Sequence, residues 1–202
     1  ARAPSTGGRR FVMQAQDAST MHFDFRLEVD GVLASWAVPK GPSTDPREKR
    51  LAIRTEDHPL VYADFEGTIP EDEYGGGTVL VWDRGPYVNL RARKGPHSRS
   101  MERSLDKGLV EVELRGEKLR GPYALERLSG QDRESWLLIK MRDDRADARR
   151  RPTRTEPGSV VSGRTLDEIA VDDASAAGRE DGKGEDEQGD DGRRKDASAR
   201  RR

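Results

Sequence analysis

Between Phe11 and Met141 the chain runs in short stretches where apolar and polar residues alternate, each closed by a turn signal. A period of two predicts strands rather than helices. "FVMQ" opens the series. "HFDFRLEV" and "VLASWAV" flank Asp30-Gly31, a dipeptide suited to the positive φ angles of a two-residue hairpin. "RLAIRTEDH" alternates again, and "GTVLVWD" is a more continuous apolar run that suits a buried strand. "GLVEVEL" and "GPYALERL" surround "RGEKLR" as a further hairpin, and "SWLLIKM" closes the series. About eight strands with little helical periodicity predict an all-β domain, a closed barrel or a sandwich. "SMERSLDKG" is the one helix expected among them, ending at Gly108.

Outside that stretch the pattern fades. Residues 1–10 read as a flexible arm. Residues 142–174 read as a charged linker in which "GRTLDEIA" could form one or two helical turns. Residues 175–202 lack aromatic and large aliphatic side chains and read as a disordered tail.

Composition sharpens this division. Of 202 residues, hydrophobic ones make up only 32% and charged ones 37%, yet the apolar share is concentrated in residues 11–141. That is about 130 residues, enough for one cored domain. Lys plus Arg (37) nearly balances Asp plus Glu (38), so a net charge of −1 gives no sign of a nucleic-acid partner, although a basic cleft can sit on a neutral chain. The absence of cysteine excludes disulfides and thiolate chemistry. With no apolar run long enough to cross a membrane and no signal-peptide core in "ARAPSTGGRR", the expected setting is soluble and cytoplasmic, with no membrane partner.

The chemistry begins with "MHFDFRLEVDG". On a strand, Phe23, Phe25, Leu27 and Val29 share one face, and His22, Asp24, Arg26 and Glu28 share the other. A wet polar face is the ordinary outcome of such alternation. The alternative is a recognition face. An imidazole and a carboxylate suit a borderline divalent ion, and the guanidinium next to them matches a phosphate. "EDHPLVYADFEG" adds His58, before a proline that fixes an extended backbone, and Tyr62 four residues on. His97, in "KGPHSR", has no acidic or aromatic neighbour and reads as incidental. Gly75 to Gly77 precede a strand rather than the helix a phosphate-binding loop needs, so a tight barrel corner is expected there.

Together, "FVMQAQDASTMHFDFRLEVDGVLASWAVPKGPSTDP", "EDHPLVYADFEGTIPEDEYGGGTVLVWDRG" and "WLLIK" resemble the 3′-phosphoesterase domain of bacterial DNA ligase D, over about residues 11–141. The resemblance implies a compact closed antiparallel β-barrel with a cleft at one end. It also implies a manganese-dependent enzyme of non-homologous end joining, which removes a 3′-phosphate or a terminal ribonucleotide. Implied partners are DNA 3′ ends, the end-joining ligase, polymerase and Ku proteins, in a nucleoid-associated setting. By position, His22 and Asp24 match metal ligands, Arg26 and His58 match contacts to the scissile phosphate, and Tyr62 matches a tyrosine beside it. Gln14, Lys40, Arg50 and Glu56 match supporting polar positions. A protonated His58 beside Arg26 would stabilise the phosphoryl charge.

One position departs from the family's pattern. The family usually has Gln-x-His-Asp-Ala where this chain reads "QAQDA", so Gln16 stands where a metal-binding histidine is expected. An amide oxygen is the poorer donor to a transition metal. The sequence therefore supports two readings: a 3′-end phosphoesterase, at full strength or weakened, and a DNA-end-binding module without catalysis. A barrel unconnected to nucleic acid is disfavoured by Arg26 and His58 in their motif context.

Overall fold

A computed structural model describes residues 9–92 and 95–181. Nine strands follow in chain order: β1 (Arg10–Asp17), β2 (Met21–Val29), β3 (Val32–Val38), β4 (Lys49–His58), β5 (Gly67–Ile69), β6 (Gly77–Asn89), β7 (Leu109–Arg115), β8 (Arg120–Arg127) and β9 (Ser135–Lys140). Every pairing is antiparallel, in the order β1-β2-β3-β4-β9-β8-β7-β6, and β6 returns to β1 to close an eight-stranded barrel. β5 adds a short ninth strand on β6. Closure removes the free edges that an open sheet would expose.

The alternation seen in the sequence decides what lies inside. Phe11, Met13 and Ala15 of β1, and Phe23, Phe25, Leu27 and Val29 of β2, join one apolar cluster with Trp36, Trp82 and Trp136. The rings meet largely edge to face: Phe23 and Trp82 at 5.5 Å, Trp36 and Trp136 at 5.7 Å. This is the arrangement the aromatic quadrupole favours. Asp30 and Gly31 both adopt positive φ (48° and 82°), as the two-residue turn between β2 and β3 requires. α1 (Met101–Lys107) starts where Ser100 caps the Arg103 amide and stops at Gly108 in the left-handed region.

A bulge in β6 puts Trp82 and Asp83 together on the inner side, since Met13 pairs with Asp83 while Gln14 pairs with Val81. The buried Asp83 carboxylate accepts from the Leu119 amide at 2.7 Å and the Glu117 amide at 2.9 Å. It thereby satisfies the backbone of the turn between β7 and β8. Burial pushes its carboxyl up, against the pull of those amides.

Several expectations need correction. "FVMQ" lies within an eight-residue strand, and "GTVLVWD" continues to Asn89, because backbone pairing with neighbouring strands carries both beyond their apolar runs. Residues 142–165, expected to be a linker, lie along the barrel. There the Glu156 carbonyl accepts from Trp82 Nε1 (2.8 Å), Arg150 donates to the Lys118 carbonyl (2.7 Å), and Thr44 and Asp147 exchange two bonds. These contacts run through backbone and arginines, to which hydropathy is blind. α2 (Pro152–Thr155) forms one turn within this stretch. "GRTLDEIA" begins a longer helix than two turns, α3 (Leu166–Asp181), seated by the buried Ile169 and capped reciprocally by Thr165 and Glu168. α3 also blocks the open edge of β5, where Asp173 accepts from the Thr68 amide at 2.7 Å. Residues 175–181, expected to open a disordered tail, belong instead to α3, while residues 1–8 of the arm and 182–202 of the tail lie outside the described residues. Among the described residues no helix is long and apolar enough to cross a membrane.

Asp83→Ala strands two buried amides and should cost about 2–4 kcal/mol of stability. A shift of the urea midpoint at unchanged slope measures it. A loss below about 0.5 kcal/mol would mean that the turn does not depend on this carboxylate.

Candidate active site

Because the inner faces of β1 and β2 fill the barrel, Gln14, Gln16, His22, Asp24 and Arg26 project from its outer wall. Cross-strand register sets Gln14 opposite Asp24 and Gln16 opposite His22. A 3-10 turn, Leu60–Asp64, lies over this wall. It is tied down by Gln14 Nε2, which donates to the carbonyls of Tyr62 (2.9 Å) and Phe65 (3.2 Å), and by Arg10, which donates to the Leu60 carbonyl (3.1 Å). A second apolar cluster of Val12, Leu33, Ala63 and Val81 seals the space beneath the turn. What remains is a cleft of about 560 Å³, with His22, Asp24, Arg26, His58 and Tyr62 on its walls. The polar face of β2 is therefore not wet: Asp24 and Arg26 are both buried.

Arg26 is the hub of the cleft. At 3% exposure its guanidinium donates through Nε to Gln14 Oε1 (2.8 Å), sets Nη2 3.3 Å from Asp24 Oδ2 and places Nη1 3.1 Å from His58 Nδ1. The Tyr62 ring covers it at 5.0 Å, stacked in turn on Phe65. Burial lowers the guanidinium's affinity for its proton, and Asp24 opposes that change. A guanidinium carries five N–H groups, so at least one on each terminal nitrogen stays free for a ligand.

His58 reaches the cleft through an irregularity in β4. Ser35 pairs with Thr55 but Leu33 pairs with His58, so one extra residue is accommodated between them. The bulge turns His58 outward, to the same side as Thr55. Its Nδ1 is shared between Arg26 and the Glu56 carbonyl (2.9 Å), which leaves Nε2 to meet a ligand. Burial first, and then the Arg26 charge, hold the imidazole below its ordinary pKa.

His22 behaves oppositely. Its Nδ1 lies 3.1 Å from the Thr20 carbonyl and can donate only in that direction, which points the lone pair of Nε2 at Asp24 Oδ2, 3.6 Å away. Two acceptors facing one another call for a positive charge between them. Hydrogen bonding to Asp24 accordingly raises the His22 pKa. The same pair suits a divalent ion, since donors each about 2.1 Å from one ion stand roughly 3–3.5 Å apart. The backbone bond at Nδ1 is the outer support a ligating imidazole needs. Among the described residues, however, no third His, Cys, Asp or Glu joins them. Gln16 occupies the third side, and its Nε2 is committed to the Gly75 carbonyl at 2.6 Å, so only Oε1 could serve as a ligand.

The remaining expected residues divide. Glu56 lines the cleft. Lys40 and Arg50 do not: Arg50 donates to the Lys40 carbonyl (3.2 Å) and pairs with Glu48, so these residues brace the loop after β3. His97 borders a separate cavity with Leu90 and Glu111. The glycine run is a corner, as expected, since a Cβ on Gly77 would lie 2.2 Å from the Asp17 carbonyl oxygen. Thr55 and Tyr74 line the cleft and were not anticipated. Thr55 was hidden by the bulge, whereas Tyr74 precedes the glycine run and only the fold brings that corner to the cleft.

A model of the DNA ligase D 3′-phosphoesterase domain matches residues 14–127. The chain is 48% identical over 169 residues to the multifunctional non-homologous end joining protein LigD of Pseudomonas aeruginosa, covering 82% of this chain and 19% of that protein. It is 45% identical over 143 residues to the multifunctional non-homologous end joining DNA repair protein LigD of Mycobacterium tuberculosis, covering 70% and 17%. The corresponding protein of Mycolicibacterium smegmatis is 42% identical over 143 residues, covering 70% and 18%. The chain thus spans less than a fifth of the length of these curated relatives.

Two outcomes test the wiring of the cleft. Arg26→Ala leaves Asp24 buried without its cation and should cost about 3 kcal/mol, readable by urea unfolding; a neutral substitution would show that the hub carries no strain. The histidines give a pH signature in the metal-free protein. His22, raised, contributes stability fully present below the ordinary imidazole pKa and lost as pH rises through its folded value. His58, lowered, costs stability as pH falls from the ordinary value through its folded one. Their joint contribution should peak near pH ~6.5. His22→Gln should flatten the alkaline side of the stability profile in chelator, and His58→Gln the acidic side; the reverse assignment would contradict the geometry.

Proposed function

The chain belongs to the DNA ligase D 3′-phosphoesterase domain family, and we propose that it processes DNA 3′ ends in non-homologous end joining as a manganese-dependent phosphoesterase. The substrates in this reading are a 3′-phosphate or a terminal ribonucleoside at a primer end. The observation that carries it is a buried guanidinium with free N–H groups, set between a His-Asp pair and an imidazole in one cleft. That arrangement has little use in a structural barrel, because burying Arg26 and Asp24 together costs desolvation that apolar residues would avoid.

Each side chain then has a task. Arg26 binds two phosphoryl oxygens through its terminal nitrogens and keeps its orientation because Gln14 and Asp24 hold the other N–H groups. His58 meets the phosphoryl group through Nε2 and can exchange a proton with the ester or leaving oxygen. The Tyr62 hydroxyl, kept protonated by burial, is a further donor on the same wall. His22 and Asp24, with Gln16 Oε1 on the third side, would hold the divalent ion. When bound, that ion polarises the phosphoryl oxygens and lowers the pKa of a coordinated water.

A second reading is favoured by one observation. With the Gln16 amide tied to Gly75 and two conventional ligands among the described residues, the cleft could bind a 3′-phosphate without cleaving it. The two readings part on phosphate release from a 3′-phosphorylated primer. The enzymatic reading expects release that depends on manganese and stops in chelator. Binding without release at micromolar protein would defeat it. Gln16→His should tighten manganese about tenfold or more and raise the rate in parallel, the scale on which a single support around a metal acts. In either reading Arg26→Ala should weaken binding to 3′-phosphate ends more than to 3′-hydroxyl ends. Equal weakening would remove Arg26 as the phosphate reader.

A further inference from the structure

The rim of the cleft carries an aromatic ring that the chemistry above leaves idle. Tyr74 is 85% exposed, yet it lines the cleft together with Glu56 and His58. Its position is nevertheless fixed. The loop that carries it is closed by the Glu73 amide on the Pro70 carbonyl and the Gly76 amide on the Glu73 carbonyl, both at 3.0 Å. The next residue, Gly75, is held from β1 by Gln16 Nε2. At the other end of the side chain, the Glu56 carboxylate, which lines the same cleft, makes the Tyr74 hydroxyl hold its proton more tightly. A ring on a loop secured through its backbone, with its faces in solvent, is ready to stack at little cost in conformational entropy.

The charges around it narrow down what it can meet. Glu71, Asp72 and Glu73 precede it, all exposed, and no cation lies between Pro70 and Gly77. Such a segment repels a phosphodiester backbone. The phosphate position is set instead by Arg26 and His58, deeper in the same cleft. The part of a strand that the Tyr74 loop can accept is therefore an uncharged one. Every base offers a flat face, whatever its identity.

We propose that Tyr74 is the stacking platform for the base of the terminal nucleotide, placing the attached 3′ group at Arg26 and His58. This rests on the 3′-end reading above and extends it to a binding determinant. Ends with an intact terminal base are preferred over ends without one, and the four bases are treated alike.

The test is anisotropy of labelled oligonucleotides that carry a 3′-phosphate on an intact or an abasic terminal nucleotide, with the full chain. Tyr74→Ala should weaken binding of the intact end about tenfold and of the abasic end by less than about twofold, the size of one base–aromatic stack. Tyr74→Phe keeps the ring and should stay within about twofold of the unmodified protein on both. Equal losses of Tyr74→Ala on the two ends would overturn the stacking role, and so would a Tyr74→Phe defect as large as that of Ala, which would shift the role to the hydroxyl and Glu56. A chain that binds 3′-phosphate and 3′-hydroxyl ends alike would instead defeat the end-recognition reading while leaving the dependence on the terminal base to be judged separately by the same variants.

Discussion

A buried guanidinium sets the terms for the cleft. Arg26 could not stay charged at its depth unless its neighbours compensated, and they do so from four separate elements. Gln14 comes from β1, Asp24 from β2 itself, His58 from the end of β4, and Tyr62 from the 3-10 turn. Each partner is also tied to something else. Gln14 holds the turn, Asp24 faces His22, and His58 meets the Glu56 backbone. Desolvation thus imposes order on the whole wall, since a partner that moves away leaves a charge or an amide unpaired. The cleft is preorganised for the same reason that it is expensive to build.

The family relation and the physical reading complement one another. The match over residues 14–127 runs from the middle of β1 to the end of β8, and every residue wired to Arg26 falls inside it. What the relation does not carry over is the chemistry at Gln16. Its amide satisfies the Gly75 carbonyl and so anchors the loop of Tyr74, a task that is separate from holding an ion.

Much of this was legible in the sequence. Strict alternation in "HFDFRLEV" separated barrel core from cleft correctly, because a strand has only two faces and both are used. Asp30-Gly31 and Gly108 marked their turn and helix end through backbone angles that few residues accept. What stayed hidden depended on distance along the chain. The contacts of Arg150 and Glu156 with the barrel run through carbonyls that any residue offers. The bulges in β4 and β6 shift side chains by one position with no compositional mark. Lys40 and Arg50 match supporting polar positions by sequence, but here Arg50 donates to the Lys40 carbonyl and pairs with Glu48, away from the cleft.

The extra residue in β4 has a consequence for how such a domain can change. If Glu56 and Asp57 were instead paired one to one with β3, the ladder would be unbroken and Asp57, not His58, would stand opposite Leu33. His58 would then swing through half a turn and point into the barrel. The smoother strand would be the blinded one. Local regularity and the placement of His58 in the cleft pull this segment in opposite directions.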